Sequence, residues 1–179
     1  SSVTSIENNT FLHCANLTKV IIPPSITIIG DNAFDGCKIL KEISIPSSVT
    51  SIGKSAFHEC KLLVEMTIPS SVKFIGENAF NNCYSLKRIE INASISKIEK
   101  NTFYQCCGLS QIIFPSTLIS INDFAFANCY SLAQLNFPLS LRSISLCAFY
   151  GCSFLKKVSL PSAINEKGIF SSNVTIKRI

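Results

Sequence analysis

The sequence repeats itself every 23 residues, without a gap, over residues 1–161 of the 179. Phenylalanine, cysteine and leucine follow one another at intervals of three residues in every repeat. The columns are Phe11, Phe34, Phe57, Phe80, Phe103, Phe126 and Phe149; Cys14, Cys37, Cys60, Cys83, Cys106, Cys129 and Cys152; and Leu17, Leu40, Leu63, Leu86, Leu109, Leu132 and Leu155. A fixed period of this length indicates one structural unit per repeat, with the units stacked in order. We therefore predict a solenoid of seven repeats over residues 1–161, followed by a degenerate C-terminal capping repeat at 162–179.

After each leucine comes an apolar, any, apolar pattern such as Ile43-Ser44-Ile45. Alternation with a period of two is typical of a short strand with one buried face. Proline ends the pattern in all repeats but the fourth, where Asn92 replaces it, because proline has no N–H with which to continue a ladder. The sequence thus predicts a β-rich coil with one parallel strand of three or four residues per repeat. The segment from phenylalanine to cysteine is long enough only for a 3₁₀ or single helical turn.

Two further columns belong to the returning side of the coil and its corner. An apolar pair at spacing three, such as Val49 and Ile52, follows each strand. A hydroxyl column lies just past the strand and comprises Ser2, Ser25, Ser48, Ser71, Ser94, Thr117 and Ser140. Hydroxyls at a corner can satisfy backbone groups that a regular ladder does not reach. We predict a buried hydroxyl ladder with an architectural role.

The nine cysteines raise the alternatives of a disulfide framework and a metal site. Seven form one inward column with a strand spacing of about 4.8 Å, whereas a disulfide requires Cβ atoms about 3.5–4.5 Å apart. We expect free buried thiols there. Cys107 and Cys147 lie outside the column and lack the spacing of a zinc site. His13 and His58 occupy different repeat positions and are predicted to be solvated. Known catalytic motifs are absent, so we expect no enzyme, cofactor or metal.

The run from Leu40 through Ile43, Ile45, Pro46, Val49, Ile52, Gly53, Ala56 and Phe57 to Cys60 resembles the BspA-like class of leucine-rich repeats. The resemblance covers residues 1–161. It implies a right-handed solenoid with its strands on one face, in a surface protein that acts in adhesion or recognition of host proteins. The matching residues are all core residues, so the resemblance carries over no ligand-binding side chain.

Function is expected on the exposed positions between the core residues, where the strand face should offer the flattest and most rigid surface. Two columns of this face vary freely among the repeats, as a recognition surface would. The predicted partner-binding residues are Lys19, Ile21, Glu42, Ser44, Glu65, Thr67, Arg88, Glu90, Gln111, Ile113, Gln134, Asn136 and Lys157. A second candidate patch comprises Tyr84 and Tyr130, with Tyr104 and Tyr150 nearby.

The expected partner is a protein. The formal charge of +5 is dispersed, which argues against nucleic acid, and no apolar run reaches the roughly 20 residues that span a bilayer. The sequence opens in mid-repeat at Ser1, so we expect further residues or another copy to cover that edge, the latter by self-association. A cell-surface or secreted location follows from the resemblance. An intracellular interaction scaffold is the alternative, because reduced thiols suit the cytosol. N-x-S/T sequons begin at Asn8, Asn16, Asn92 and Asn173, as chance would also give in a chain so rich in Asn, Ser and Thr.

Overall fold

The computed structural model describes residues 3–179 as a parallel β-solenoid of about seven turns. Each coil carries a long and a short strand, and no helix occurs in residues 3–179. The long strands are β2 (Lys19–Ile21), β4 (Glu42–Ser44), β6 (Glu65–Ile68), β8 (Arg88–Ile91), β10 (Gln111–Ile113), β12 (Gln134–Asn136) and β14 (Lys157–Leu160). The short strands are β1 (Ser5–Ile6), β3 (Ile28–Ile29), β5 (Ser51–Ile52), β7 (Phe74–Ile75), β9 (Lys97–Ile98), β11 (Ser120–Ile121) and β13 (Ser143–Ile144). The last strand is β15 (Thr175–Arg178).

The strands pair in parallel between successive coils, and the register shifts by one repeat, as in Met66 opposite Ile89. The long strands form the ladders β2-β4, β6-β8-β10 and β12-β14-β15, and the short strands form β1-β3-β5-β7 and β9-β11-β13. The solenoid prediction is confirmed, but the prediction of a single strand per repeat was wrong. The second strand was not predicted because it is only two residues long. Only one member of the apolar pair at spacing three, such as Ile52, belongs to it, so the pair does not alternate as strand residues do.

The segment from phenylalanine to cysteine forms hydrogen-bonded turns instead of the expected 3₁₀ or single-turn helix. In the third coil the amides of His58 and Cys60 donate to the carbonyls of Ser55 and Phe57. Between these turns the backbone is left-handed, with φ of 51° at Ser55 and 54° at Glu59. Left-handed residues cannot continue a right-handed 3₁₀ helix. The turns are joined to the next coil by bonds such as Phe57 N–H to the Ala79 carbonyl, at 2.8 Å.

The phenylalanine column forms a continuous stack through the core. Neighbouring rings from Phe11 to Phe149 have centroids 5.1–5.5 Å apart and planes within 15° of each other. Phe170 comes two residues earlier than the period requires, yet its ring lies 5.4 Å from that of Phe149. The stack therefore continues past the last regular repeat. The division into repeats at 1–161 and a cap at 162–179 stays a prediction.

The hydroxyl column makes the expected kind of bond but is half-buried or exposed rather than buried. Ser48 Oγ donates to the Ile26 carbonyl at 2.6 Å, and Ser71 Oγ donates to the Val49 carbonyl at 2.7 Å. Ser25, Thr117 and Ser140 make equivalent bonds. These hydroxyls lie on an outer corner of the coil, which explains their exposure. Ser2 lies outside the described residues.

The fourth coil departs from this pattern where Asn92 replaces proline. The other coils close a turn there with bonds such as Val72 N–H to the Pro69 carbonyl. No equivalent turn bond forms around Asn92, and Ser94 makes no bond to the preceding coil within residues 3–179. The Asn92 amide instead donates to the Ile68 carbonyl at 3.0 Å, a bond that proline could not make. The short-strand ladder is interrupted in the same coil, between β7 and β9.

Candidate functional site

The predicted binding residues lie together on the outer face of the long strands. Parallel register brings like positions of successive coils side by side, for example Gln111 beside Arg88 and Ile113 beside Glu90. All of these side chains are exposed except Arg88 and Glu90, which are half-buried. Ile21 is 83% exposed, which is unusual for an isoleucine on a folded surface. The structure thus places the residues on one surface, and their role in binding stays a prediction.

The charges on this strand face are partly paired with one another. Lys19 Nζ lies 2.7 Å from a Glu42 carboxylate oxygen, and this contact lowers the pKa of Glu42. Arg88 donates to Glu90 at 3.1 Å and to Gln111 at 3.3 Å. Glu65 has no ion-pair partner within residues 3–179. Exposed pairs of this kind contribute little to stability, so these side chains remain available to a partner.

The strand face is interrupted in two places. No hydrogen-bonded pairing joins β4 to β6 or β10 to β12 among the described strands. The core residues beside the interruptions are less protected than their equivalents: Ile43 and Ile112 are half-buried, whereas Met66 and Ile89 are buried. The face consists of three short sheets separated by two openings.

A groove of about 830 Å³ extends from the opening between β4 and β6 across β4 to β2. Apolar side chains line it, including those of Ile21, Ile43, Leu62 and Val64. Charged and polar side chains also line it: Lys19, Lys41, Glu42, Ser44, Glu65 and Ser85. Apolar walls combined with a few polar groups are typical of sites that bind a side chain or small ligand. We call this surface the β4/β6 groove.

Sequence reasoning missed Lys41, Leu62 and Val64. Leu62 is 39% exposed and Val64 is 38% exposed. The sequence did contain a signal, because repeats on either side carry polar residues at the equivalent of Val64, namely Lys41 and Lys87. An exposed apolar residue between two lysines of a surface column is a candidate contact residue.

The coil geometry agrees with a comparison to known families. The description "BspA type leucine rich repeat region" matches residues 1–109 and 96–179, with six copies. The chain belongs to the BspA-type leucine-rich repeat family. No curated protein matches the sequence.

Solved structures of bacterial leucine-rich repeat proteins resemble this BspA-type chain. A protein of Eubacterium ventriosum is 28% identical with a TM-score of 0.65, over 87% of this chain and 46% of that one. The T. pallidum leucine-rich repeat protein is 27% identical with a TM-score of 0.60, over 89% of this chain and 68% of that one. A leucine-rich cell surface protein of Faecalibacterium prausnitzii is 23% identical with a TM-score of 0.51. The match covers 96% of this chain and 62% of that protein, and at this identity it shows the fold alone.

The cysteine column of the BspA-type chain forms a ladder of thiols. Each Sγ from Cys37 to Cys152 donates to the phenylalanine carbonyl of the preceding coil at 3.1–3.3 Å. Burial raises the pKa of Cys37 to about 11 and that of Cys152 to about 12, and it raises the pKa values of the four thiols between them well above the usual range. Because thiolates are the reactive form of cysteine, burial lowers the reactivity of the six thiols from Cys37 to Cys152, which serve the architecture.

The prediction of two solvated histidines was wrong for His58. Its Nδ1 atom lies 2.7 Å from a carboxylate oxygen of Asp35, which occupies the equivalent position of the preceding coil. His13 is exposed. Equivalent positions of successive coils are neighbours on the turn side as well as on the strands, so charge complementarity between such positions can pair residues far apart in sequence. No cluster of three or more potential metal ligands occurs within residues 3–179.

The tyrosine patch is dispersed. The Tyr84 hydroxyl reaches Gln105 at 3.5 Å, and the Lys61 ammonium lies 5.5 Å from the centre of the Tyr84 ring. Tyr130 and Tyr150 are exposed, whereas Tyr104 is half-buried. Local contacts thus account for Tyr84, and the strand face remains the better candidate. The four sequon asparagines are exposed, and no helix in the described part of the chain could cross a membrane.

Proposed function

We propose that this chain binds a protein partner through the outer face of its long strands, in adhesion or partner recognition at a cell surface. The observation that carries the proposal is the contrast between columns. Core positions are filled by the same residue type in coil after coil, whereas the two outer columns differ in charge, size and polarity. A face with this mixed character resembles a recognition surface. Membership of the BspA-type family supports the location.

The cysteine ladder bears on the alternative of an intracellular scaffold. The number of free thiols favours a reducing compartment only where those thiols are accessible to oxidants. Six of the seven ladder thiols are buried, and their raised pKa values suppress the reactive thiolate. The ladder is therefore compatible with an oxidising exterior, and the alternative loses the observation that favoured it.

The proposal is tested with a matched pair of variants. Gln111→Lys adds one charge to the strand face, where Lys19 and Lys157 already occupy the column. Ser96→Lys adds one charge beside the short strands, where Lys73 occupies the equivalent position. Both variants, and the natural chain, are passed over a panel of immobilised extracellular-matrix proteins and their affinities are measured by surface plasmon resonance. We expect Gln111→Lys alone to weaken binding. Equal effects of the two variants, or no binding to any panel member, would contradict the proposal.

A further inference from the structure

The β4/β6 groove combines an opening in the strand ladder with apolar walls. We propose that it seats one aliphatic or aromatic side chain of a protein partner, with a basic residue of that partner opposite Glu65 and an acidic residue opposite Lys41. The inference rests on the proposed function, because it specifies where on the strand face the principal contact lies and which chemistry the partner presents.

The first observation is the local loss of strand pairing. Between β6 and β8 four registered residue pairs close the face, whereas β4 and β6 share none. The opening leaves Ile43 half-buried where the corresponding Ile89 is buried. An apolar side chain that enters the groove removes this surface from water, which gives a favourable free energy of transfer.

The second observation is the composition of the walls. Leu62 and Val64 are exposed and lie on either side of Leu63. In the next coil the equivalent positions are Ser85 and Lys87, and Lys41 is the equivalent of Val64 in the preceding coil. Val64 thus replaces a lysine where the strand ladder opens, while Leu62 continues an apolar position that the preceding coil fills with Ile39. Exposed apolar side chains rimmed by polar groups mark interaction sites.

The third observation concerns charge. Lys19 and Glu42 neutralise each other in an ion pair. Lys41 and Glu65 also line the groove, and neither has an ion-pair partner within residues 3–179. Two unpaired charges of opposite sign select a ligand segment that carries an acidic and a basic residue as well as its apolar residue. Such complementarity determines orientation and selectivity more than raw affinity.

The test uses a phage-displayed library of random twelve-residue peptides panned against the full chain. Selected peptides are synthesised, and their affinities are measured by fluorescence polarisation for the natural chain, for Val64→Lys and for Ala133→Lys. The two variants place the same charge in the same repeat column, but Ala133 lies outside the groove. Lysine already occurs in this column at Lys41, Lys87 and Lys156, so both variants are expected to fold.

We expect the selected peptides to share one aliphatic or aromatic residue together with an acidic and a basic residue. Val64→Lys should weaken their binding about tenfold or more, as loss of one buried apolar contact would, and Ala133→Lys should leave it unchanged. Glu65→Gln should weaken binding about two- to fivefold, and only for peptides with the basic residue. Peptides without an apolar anchor, equal losses in the two lysine variants, or no peptide that depends on Val64 would overturn the inference.

The outcome is separable from that of the proposed function. If Gln111→Lys weakens binding to a matrix protein and Val64→Lys does not, the strand face binds and the groove is not its subsite. If neither variant weakens binding, both proposals fail. If Val64→Lys weakens binding of both the matrix protein and the selected peptides, the groove inference is supported.

Discussion

Two adjacent junctions in the solenoid open on different sides. At the junction between the coils of β4 and β6, the long strands are unpaired, while Ser71 bonds to the preceding coil and β5 pairs with β7. At the junction between the coils of β6 and β8, the long strands are paired in register, while Ser94 makes no such bond and β7 is not paired with β9.

The phenylalanine and cysteine columns are the same at both junctions. The ring of Phe57 lies 5.3 Å from that of Phe34 and 5.3 Å from that of Phe80. Cys60 and Cys83 each donate to a phenylalanine carbonyl one coil back, at 3.3 and 3.2 Å. The phenylalanine and cysteine columns therefore hold the coils together. The strands of one face can lose their hydrogen bonds at one junction while the ring stack persists. A binding groove can therefore form without a break in the solenoid.

The largest expected effect tests whether the thiol ladder holds both junctions. A folded-state pKa above the unfolded value of 9.0 means that the thiol's stabilising contribution is complete below pH 9 and is lost as pH rises toward the folded pKa, about 11 for Cys37. Each buried thiol should then cost about 1.4 kcal/mol per pH unit. We expect stability to fall steeply between pH 9 and 11, measured by urea unfolding followed by circular dichroism. Cys83→Ala should reduce the slope, and an unchanged slope would contradict the role of that thiol.

The next effect concerns the ring stack. Phe57→Ala and Phe80→Ala should each lower the free energy of unfolding by about 3–5 kcal/mol, because each leaves a cavity in a close-packed column. Phe74→Ala is the control, since Phe74 is 45% exposed on a short strand. Urea unfolding measures all three. A much smaller loss for Phe57→Ala than for Phe80→Ala would mean that the open junction is not held by the stack.

A smaller effect distinguishes the two junctions at their corner. Ser71→Ala removes the hydrogen bond to the Val49 carbonyl and should lower the free energy of unfolding by about 0.5–1.5 kcal/mol. Ser94 lies in the same column in the next coil, where no such bond exists. Ser94→Ala should therefore change the free energy of unfolding by less than about 0.5 kcal/mol. Thermal unfolding of both variants provides the comparison. Equal losses of unfolding free energy in the two variants would show that the hydrogen bond of Ser71 does not stabilise its junction.

The smallest effect is expected in the β4/β6 groove itself. Val64→Lys should change the free energy of unfolding by less than about 0.5 kcal/mol, because Val64 is exposed and its neighbours in the column are lysines. The melting temperature, followed by circular dichroism, checks this. A marked fall in the melting temperature would mean that Val64 supports the fold. The Glu65→Gln variant would then be the one that tests whether the peptides bind in the groove.

The sequence predicted the features that are the same in every repeat. The phenylalanine, cysteine and leucine columns identified the coil and its core, since a side chain that recurs at every repeat must occupy one environment. The turn side was harder to predict. Left-handed positions carry asparagine at Asn32 and Asn78, where that conformation is tolerated, but Phe124 adopts it as well with a φ of 55°. Propensity alone does not identify such a residue: Phe124 is held by the local turn, in which its carbonyl accepts from the Ala127 amide at 3.1 Å.

The candidate site was predictable only in part. The outer columns followed from strand alternation, and their exposure in the structure agrees with that alternation, although binding stays a prediction. The β4/β6 groove depends on the spacing between two strands. That spacing cannot be predicted from the residue pattern of a single repeat. The clearest sequence signal of the groove is Val64, whose column carries Lys41 and Lys87 in the adjacent coils.

The thiol and ring ladders connect each coil only to its neighbours, one repeat before and one after. In the gene, this makes unequal crossing-over between repeats a tolerated event. Recombination between two copies of the repeat adds or deletes whole coils in frame and rejoins the same ladders across the new junction. Chain length and the order of outer residues can thus change by recombination, faster than point mutation alone could remodel a binding face.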